Sequence, residues 1–348
     1  MKALQLVAWQ QEPELREVPV PEPGPGQVLI KVGGAGACHS DLHVMEWPAG
    51  TLPYQVPFTL GHENAGWVEK TGFGVEGFAV GDPVAVYGPW GCGYCYACSQ
   101  GIEVHCENAA KVNGGAAGCG LGLDGGMAEY MLVPSPRFLV PLGSLAPEEA
   151  APLTDAALTP YHAIKRSLPL LTPRASAVVI GVGGLGHLAI QILRALTSAR
   201  IIAVDISEEK LKLAAEVGAD ATVLSDAEAA AKVAELTRGQ GAELVLDLVG
   251  LDTTLAMAAK MARKMGHLTV VGMAGGTLPY NFFAVPAECA VVTPYWGSLP
   301  ELVEVVALAE RGQIRSHNAY YPLERAHEAY RDLRAGTLAG RAVIVPNR

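Results

Sequence analysis

The sequence predicts an α/β protein in two parts: a mainly-β, barrel-like part, and a parallel sheet with helices on both faces. Three observations carry this. Proline and glycine break the first part of the chain roughly every eight to twelve residues, the rhythm of short antiparallel strands. After a change near Ala150, strands alternate with helical stretches of about ten to fifteen residues, the pattern of βαβ units. The chain has 348 residues, half of them hydrophobic, which is long for one core and comfortable for two.

The strands of the first part are read at KALQLVAW, QVLIKVGGAGAC, NAGWVEKTG and VGDPVAVYG, with PVPEPGPG as a turn. EEAAPLTDAALTPYHAIKRS carries helical periodicity, so a helix is expected there. Beyond TPRA the order is strand SAVVIG, a glycine turn, helix HLAIQILRAL, strand RIIAVDI and helix SEEKLKLAAEVGA. ATVL, AEAAAKVAEL, AELVLDLVG, TLAMAAKMAR and HLTVVGM continue the alternation. LPELVEVVALAERG, HEAYRDLRAG and RAVIVP return to mixed character and can rejoin the first part. The boundaries follow: residues 1–156 with 297–348 form one domain, and 157–296 the other.

Net charge is −10, and the basic residues are scattered, which argues against nucleic acid or an anionic membrane as partner. No apolar run reaches membrane length, and MKALQLVAWQQEPELREV lacks the apolar core of a signal peptide. A cytoplasmic protein acting on a small molecule is expected. The 40 glycines and 24 prolines are spread along the chain, consistent with turns and not with disorder.

Cys92, Cys95, Cys98 and Cys106 stand in GPWGCGYCYACSQGIEVHC. CxxCxxC with a fourth cysteine in the same loop offers one tetrahedral zinc its full thiolate set. Redox-active or paired thiols are the alternative, but nothing else in the chain suggests an oxidising compartment. Cys119 and Cys289 have no partner by spacing and read as structural.

Gly181, Gly183 and Gly186 form GxGxxG between a predicted strand and helix, with Val182, Gly184 and Leu185 completing the turn. The turn and the helix N-terminus can take a pyrophosphate. Asp205 closes the next strand, where a carboxylate can bind an adenosine ribose and repel a 2′-phosphate, so NAD is favoured over NADP. A glycine turn without a ligand is the alternative.

Cys38, His62 and Asp155 are far apart in sequence, and only their chemical types suggest an open catalytic zinc. On residue type alone, a lone cysteine is commonly buried filler and a lone histidine is usually packed.

Resemblance strengthens the case. Gly61, His62, Glu63, Gly66, Gly72 and Val75 extend a GHExxG motif that resembles the zinc signature of the medium-chain zinc-dependent alcohol dehydrogenases. The cysteine loop and GVGGLG are similar to that family's structural-zinc lobe and coenzyme turn, in the same order. CHSD, TLGHE, PLTDAALTPYHA and VVTPYWG look most like its bacterial secondary-alcohol branch. The resemblance implies a GroES-like catalytic domain around a Rossmann domain, NAD, two zinc ions per chain, and a homotetramer. Cys38, His62 and Asp155 would hold the catalytic zinc, with Asp155 replacing the second cysteine usual in the family. Asp41 would orient His62, and Glu63 would stand behind the metal as a transient ligand, though both could be plain loop or cap residues.

The implied reaction is hydride transfer between NAD and an alcohol or ketone, with zinc stabilising the alkoxide. Ser40 would pass the proton through the nicotinamide ribose to His43, unless His43 is only a surface histidine. Coenzyme contacts carried over by motif are His39, Thr159, Lys210 and Arg341, the last near the phosphates. Val249, Val271 and Met273 would pack against the coenzyme or be ordinary core. Tyr54 and Trp296 are pocket-wall candidates, and Gly88 leaves room for ketones and secondary alcohols. Competing readings are a polyol or amino-alcohol dehydrogenase of the same superfamily and a non-catalytic nucleotide-binding zinc scaffold. Zinc-free quinone reductases are disfavoured by Cys38, His62 and the cysteine loop.

Overall fold

The computed structural model describes residues 1–347. It begins with β1 (Lys2–Leu6), β2 (Glu14–Glu17) and β3 (Val28–Ala37), and helix α1 (His39–Glu46) follows β3 directly. Next come β4 (Phe58–Thr59), β5 (Glu63–Thr71) and β6 (Pro83–Val86). The cysteine-rich loop holds two single turns, α2 (Tyr96–Ser99) and α3 (Ala109–Val112). Then follow β7 (Gly118–Cys119), β8 (Gly122–Leu123), β9 (Tyr130–Val133) and β10 (Leu139–Pro141).

The expected helix across 148–167 is broken. It becomes α4 (Pro147–Ala150), a 3₁₀ turn over Ala151–Thr154, and α5 (Leu158–Lys165). Asp155 leaves the helical path at φ −143 and ψ −56. Pro152 removes one backbone donor, and the Thr154 hydroxyl accepts the Asn64 N–H at 3.1 Å instead of serving a continuous helix.

The middle of the chain alternates regularly: β11 (Ser176–Ile180), α6 (Gly186–Leu196), β12 (Arg200–Asp205), α7 (Glu208–Glu216), β13 (Ala221–Leu224) and α8 (Ala229–Leu236). It continues through β14 (Ala242–Asp247), α9 (Asp252–Met261), β15 (Ala262–Val270) and β16 (Ala290–Val292). The six strands pair in parallel in the order β13-β12-β11-β14-β15-β16. This is the doubly wound dinucleotide-binding topology, with its reversal of strand order between β11 and β14. Val178, Ile180, Ile202, Val204, Val245 and Leu268 pack in its core, each almost fully buried. At about 1.5–3 kcal/mol per buried aliphatic side chain, such residues hold the sheet rigid under its loops.

The tail supplies α10 (Leu299–Glu310), β17 (Asn318–Pro322), α11 (Ala326–Ala335) and β18 (Arg341–Val345). β18 pairs antiparallel with β3, so the end of the chain rejoins the β-rich part. That part contains the sheet β10-β6-β5-β3-β18-β17, with β9 also on β3, and a smaller sheet β2-β1-β4. One compact unit therefore comprises Met1–Leu158, Gly297–Arg311 and the stretch from Ser316 onward, and the other Thr159–Trp296 with Gly312–Arg315. Nine of the ten β3 positions are buried, as its central place requires.

Candidate active site and metal centres

Three strand ends converge in the first unit. Gly36 of β3 pairs with Glu63 of β5, and Ala37 with Ala342 of β18. The next residues outward, Cys38, His62 and Arg341, are therefore neighbours although hundreds of positions separate the last from the first. Gly36 is required: a Cβ there would lie 2.8 Å from the Glu63 carboxyl carbon and closer still to its oxygen. The kinked segment after α4 brings in Asp155. One ligand atom from each of Cys38, His62, Glu63 and Asp155 lies within 4.8 Å of the others.

The imidazole is held from behind. His62 Nδ1 bonds Asp41 Oδ1 at 2.9 Å, while Nε2 faces Asp155 Oδ2 at 3.5 Å. Asp41 is the third residue of α1, and its Oδ2 accepts the Cys38 N–H at 3.0 Å, closing a capping box on the helix start. The same oxygen accepts the Tyr330 hydroxyl of α11 at 3.1 Å. Tyr330 had no motif to mark it; in sequence it is one more apolar-face residue of an amphipathic helix. Ser40 Oγ lies 3.6 Å from Cys38 Sγ, and His43 is half-buried one turn further along α1.

Charge suits this cluster to a cation. Cys38, Glu63 and Asp155 face Arg341, which is 3% exposed and bound through two nitrogens to the fully buried Glu63. Burial pushes the Cys38 thiol up, but Arg341 and His62 outweigh it and bring it down to about 7. Burial pushes the Glu63 carboxyl up to about 8 against the pull of Arg341. Burial opposes a charged His62, yet the Asp41 carboxylate holds the ring well above its usual value. Left to itself, the cluster must take up protons to offset buried negative charge; a dication removes that need. One thiolate, one imidazole and one carboxylate fit zinc with a vertex open.

The cysteine loop forms a second candidate site, with Cys92, Cys95, Cys98 and Cys106 brought together. All seven cysteines of the chain are free thiols. Backbone amides point at the sulfurs: Cys92 N–H to Cys106 and Cys95 N–H to Cys92, both at 3.3 Å. The Asn108 amide also donates to Cys92 Sγ at 3.3 Å. Burial would raise the Cys92 thiol, but these donors bring it to about 6, while burial pushes Cys98 up to about 12. Four sulfurs this close together are the donor set of one tetrahedral metal ion.

In the second unit, the glycine turn follows β11 and α6 follows the turn. Gly181 has φ +91, and a Cβ would meet Val249 Cγ2 at 2.7 Å. A Cβ at Gly186 would strike the Gly181 carbonyl oxygen. Gly183 differs: its φ is ordinary, and beyond its own chain neighbours no described protein atom lies within 4 Å of where its Cβ would be. Packing does not explain that glycine; close approach by a ligand would. No side chain caps α6, in contrast to Ser207 on α7; the His187 N–H of its first turn donates to the Gly183 carbonyl at 3.3 Å, and the helix still presents its positive end to the glycine turn. Asp205 is 7% exposed, and its oxygens accept the Val182 N–H at 2.7 Å and the Ser207 N–H at 2.9 Å.

The remaining predicted residues fall in identifiable places. Val249 and Val271 are half-buried and Met273 is 49% exposed, beyond the carboxyl ends of β14 and β15, so none is core. His39 is exposed at the start of α1, Lys210 half-buried on α7, and Thr159 buried on α5. Arg341, assigned to the coenzyme phosphates by resemblance, here has Nε and Nη2 committed to Glu63. Gly88 is buried just after β6. Tyr54 packs edge-to-face on Phe58 and lines a cavity of about 560 Å³ with Trp9, Leu52 and Val56. Trp296 is buried at φ +53, a left-handed backbone that a bulky residue rarely adopts.

A mainly-β unit with two candidate zinc sites, joined to a dinucleotide-binding sheet, defines a zinc-dependent, nucleotide-linked dehydrogenase. Comparison with known proteins agrees. The alcohol dehydrogenase GroES-like domain matches residues 24–144, and the zinc-binding dehydrogenase domain matches residues 184–311. An NAD-dependent alcohol dehydrogenase of Sulfurisphaera tokodaii is 37% identical, over 99% of this chain and all of that one. A D-arabinose 1-dehydrogenase (NADP⁺) of Saccharolobus solfataricus is also 37% identical, over 99% of this chain and 97% of its own length. The crystal structure of the alcohol dehydrogenase from Aeropyrum pernix superposes with a TM-score of 0.91 at 37% identity, covering 99% of this chain and 100% of that one. The chain belongs to the zinc-dependent medium-chain alcohol dehydrogenase family.

Proposed function

We propose that this enzyme moves a hydride between NAD and a secondary alcohol or its ketone, with two zinc ions per chain. The observation that carries the reading is the convergence of Cys38, His62, Glu63 and Asp155 in an acid-rich, buried pocket. Cys38, His62 and Asp155 would hold a zinc ion, whose Lewis acidity would make an alcohol proton removable near neutral pH. Asp155, a harder ligand than the family's second cysteine, leaves that acidity stronger. Asp41 keeps the His62 ring turned so that Nε2 faces the ligand cluster. Glu63, balanced by Arg341, stands behind the cluster as a reserve carboxylate.

Ser40 takes the proton the alcohol loses and passes it through the nicotinamide ribose to His43, which carries it toward solvent. They lie three residues apart on α1 and so share a helix face. The glycine turn and the N-terminal end of α6 bind the coenzyme pyrophosphate, Asp205 the adenosine ribose, and Val249, Val271 and Met273 line the coenzyme's sheet edge. His39, Thr159, Lys210 and Arg341 complete the contacts, and Tyr54, Gly88 and Trp296 shape the substrate site. A cytoplasmic homotetramer belongs to the same reading, checked by light scattering. The similarity to a D-arabinose dehydrogenase supports a second reading, oxidation of a sugar or polyol.

NAD-linked rates on matched primary and secondary alcohols, sorbitol and arabinose separate the two. Cys38→Ser and Asp155→Ala test the metal assignment: each is expected to lose one of two zinc ions and nearly all turnover. Full turnover after loss of one zinc sinks it.

A further inference from the structure

We infer that Tyr330 is a positioning residue for the Cys38–His62–Asp155 metal site, acting from α11 through Asp41. This rests on the metal reading above and extends it to a residue outside the ligand set and outside every motif. Asp41 is fully buried and collects three donors: Cys38 N–H, His62 Nδ1–H and Tyr330 O–H. Two of these belong to the ligands themselves, so the orientation of one carboxylate sets both. The third fixes that carboxylate from the opposite end of the chain.

Tyr330 is itself 0% exposed, so no water can substitute for its hydroxyl without repacking. Met127 Sδ lies 3.1 Å from the same oxygen. The hydroxyl has one proton, and a carboxylate is a far stronger acceptor than a thioether, so the proton belongs to Asp41. Met127 in turn packs against Gly61, the residue before His62, where a Cβ would meet Met127 Cγ at 2.7 Å. The tyrosine is thus wedged between the carboxylate that aims the imidazole and the side chain behind the loop that carries it. Removing the hydroxyl leaves Oδ2 with a single donor and frees the carboxylate to turn, loosening both ligands at once.

The test is chelator-driven zinc release from the purified holoenzyme, followed with a metallochromic indicator. The four-cysteine site is the internal control for folding. Tyr330→Phe keeps the ring and is expected to speed release from the Cys38 site ~10-fold, the lower end for partners of metal ligands. The four-cysteine zinc should leave at the parent rate. Met127→Leu, which spares the Asp41 bond, should release both ions at parent rates. Placed in an Asp41→Asn background, Tyr330→Phe should add less than about twofold, because its route to the ligands is already cut. Unchanged release from Tyr330→Phe, equal acceleration at both sites, or the same fold-change in the Asp41→Asn background overturns the assignment. A parent enzyme with no zinc that Cys38→Ser removes would instead sink the metal reading beneath it.

Discussion

The three glycines of the coenzyme turn should separate cleanly when each is replaced by alanine. Gly181→Ala forces a side chain into φ +91 and places its Cβ 2.7 Å from Val249 Cγ2. Left-handed strain of this kind costs about 1–3 kcal/mol, so the coenzyme-free protein should melt earlier. Gly186→Ala drives a methyl into the Gly181 carbonyl, whose carbon would be only 2.9 Å away. The turn or α6 must shift, at about 1–3 kcal/mol by analogy with overpacked cores. Gly183→Ala meets nothing, at an ordinary φ, and its stability should stay within about 0.5 kcal/mol of the parent. Its methyl instead occupies the space kept for the pyrophosphate. Loss of a single close contact of about 1.4 kcal/mol weakens NADH binding tenfold. Thermal melts without coenzyme and calorimetric titration with NADH measure the two quantities independently. A Gly183→Ala protein that melts with Gly181→Ala, or binds NADH as the parent does, refutes the reasoning.

Other outcomes follow from the same geometry. Asp205→Gly removes the carboxylate that would repel a 2′-phosphate, so the NADP-to-NAD efficiency ratio should rise at least ~10-fold. The Val182 and Ser207 amides lose their acceptor in that variant, so stability should fall by about 1–3 kcal/mol; an unchanged ratio defeats the coenzyme argument. Cys95→Ala should lower thermal stability while the surviving folded enzyme keeps its kcat, and loss of rate in well-folded protein contradicts that division. In the metal-free chain Cys38 titrates near 7 and Glu63 near 8, so protons occupy the catalytic cluster as pH falls. Zinc must displace them, and its affinity there should drop at least ~10-fold from pH 8 to pH 6. Competition titrations at three pH values would expose a flat profile as a contradiction.

What could be read from the sequence was what the chain encodes locally. The cysteine loop and the glycine turn each hold their donors within a few residues, and the neighbouring strand and helix are visible from periodicity. The catalytic cluster is not local. Cys38, His62 and Arg341 meet because β3 pairs with β5 at Gly36–Glu63 and with β18 at Ala37–Ala342, and no spacing rule announces a register. Resemblance to a family stood in for that missing information, and it transferred roles by position. It placed Arg341 near coenzyme phosphates, and the structure adds a partner that the resemblance did not name, the buried Glu63.

Asp155 shows why periodicity alone had to fail. Helical periodicity from Glu148 to Ser167 predicts one helix, whereas the chain leaves it at Asp155. A continuous helix would keep the Thr154 hydroxyl on its own preceding turn and Asp155 in a repeating position along the helix. The observed break lets Thr154 serve both: it donates to the Ala151 carbonyl at 2.9 Å and accepts the Asn64 N–H from β5. That tie fixes the kink to the strand that follows His62, and so sets Asp155 Oδ2 3.5 Å from His62 Nε2. Local helix preference is worth a few tenths of a kcal/mol per residue. It gives way here to two buried hydrogen bonds, each worth about 0.5–1.5 kcal/mol. The departure from the pattern falls at Asp155, the one residue of the segment that joins the candidate metal cluster.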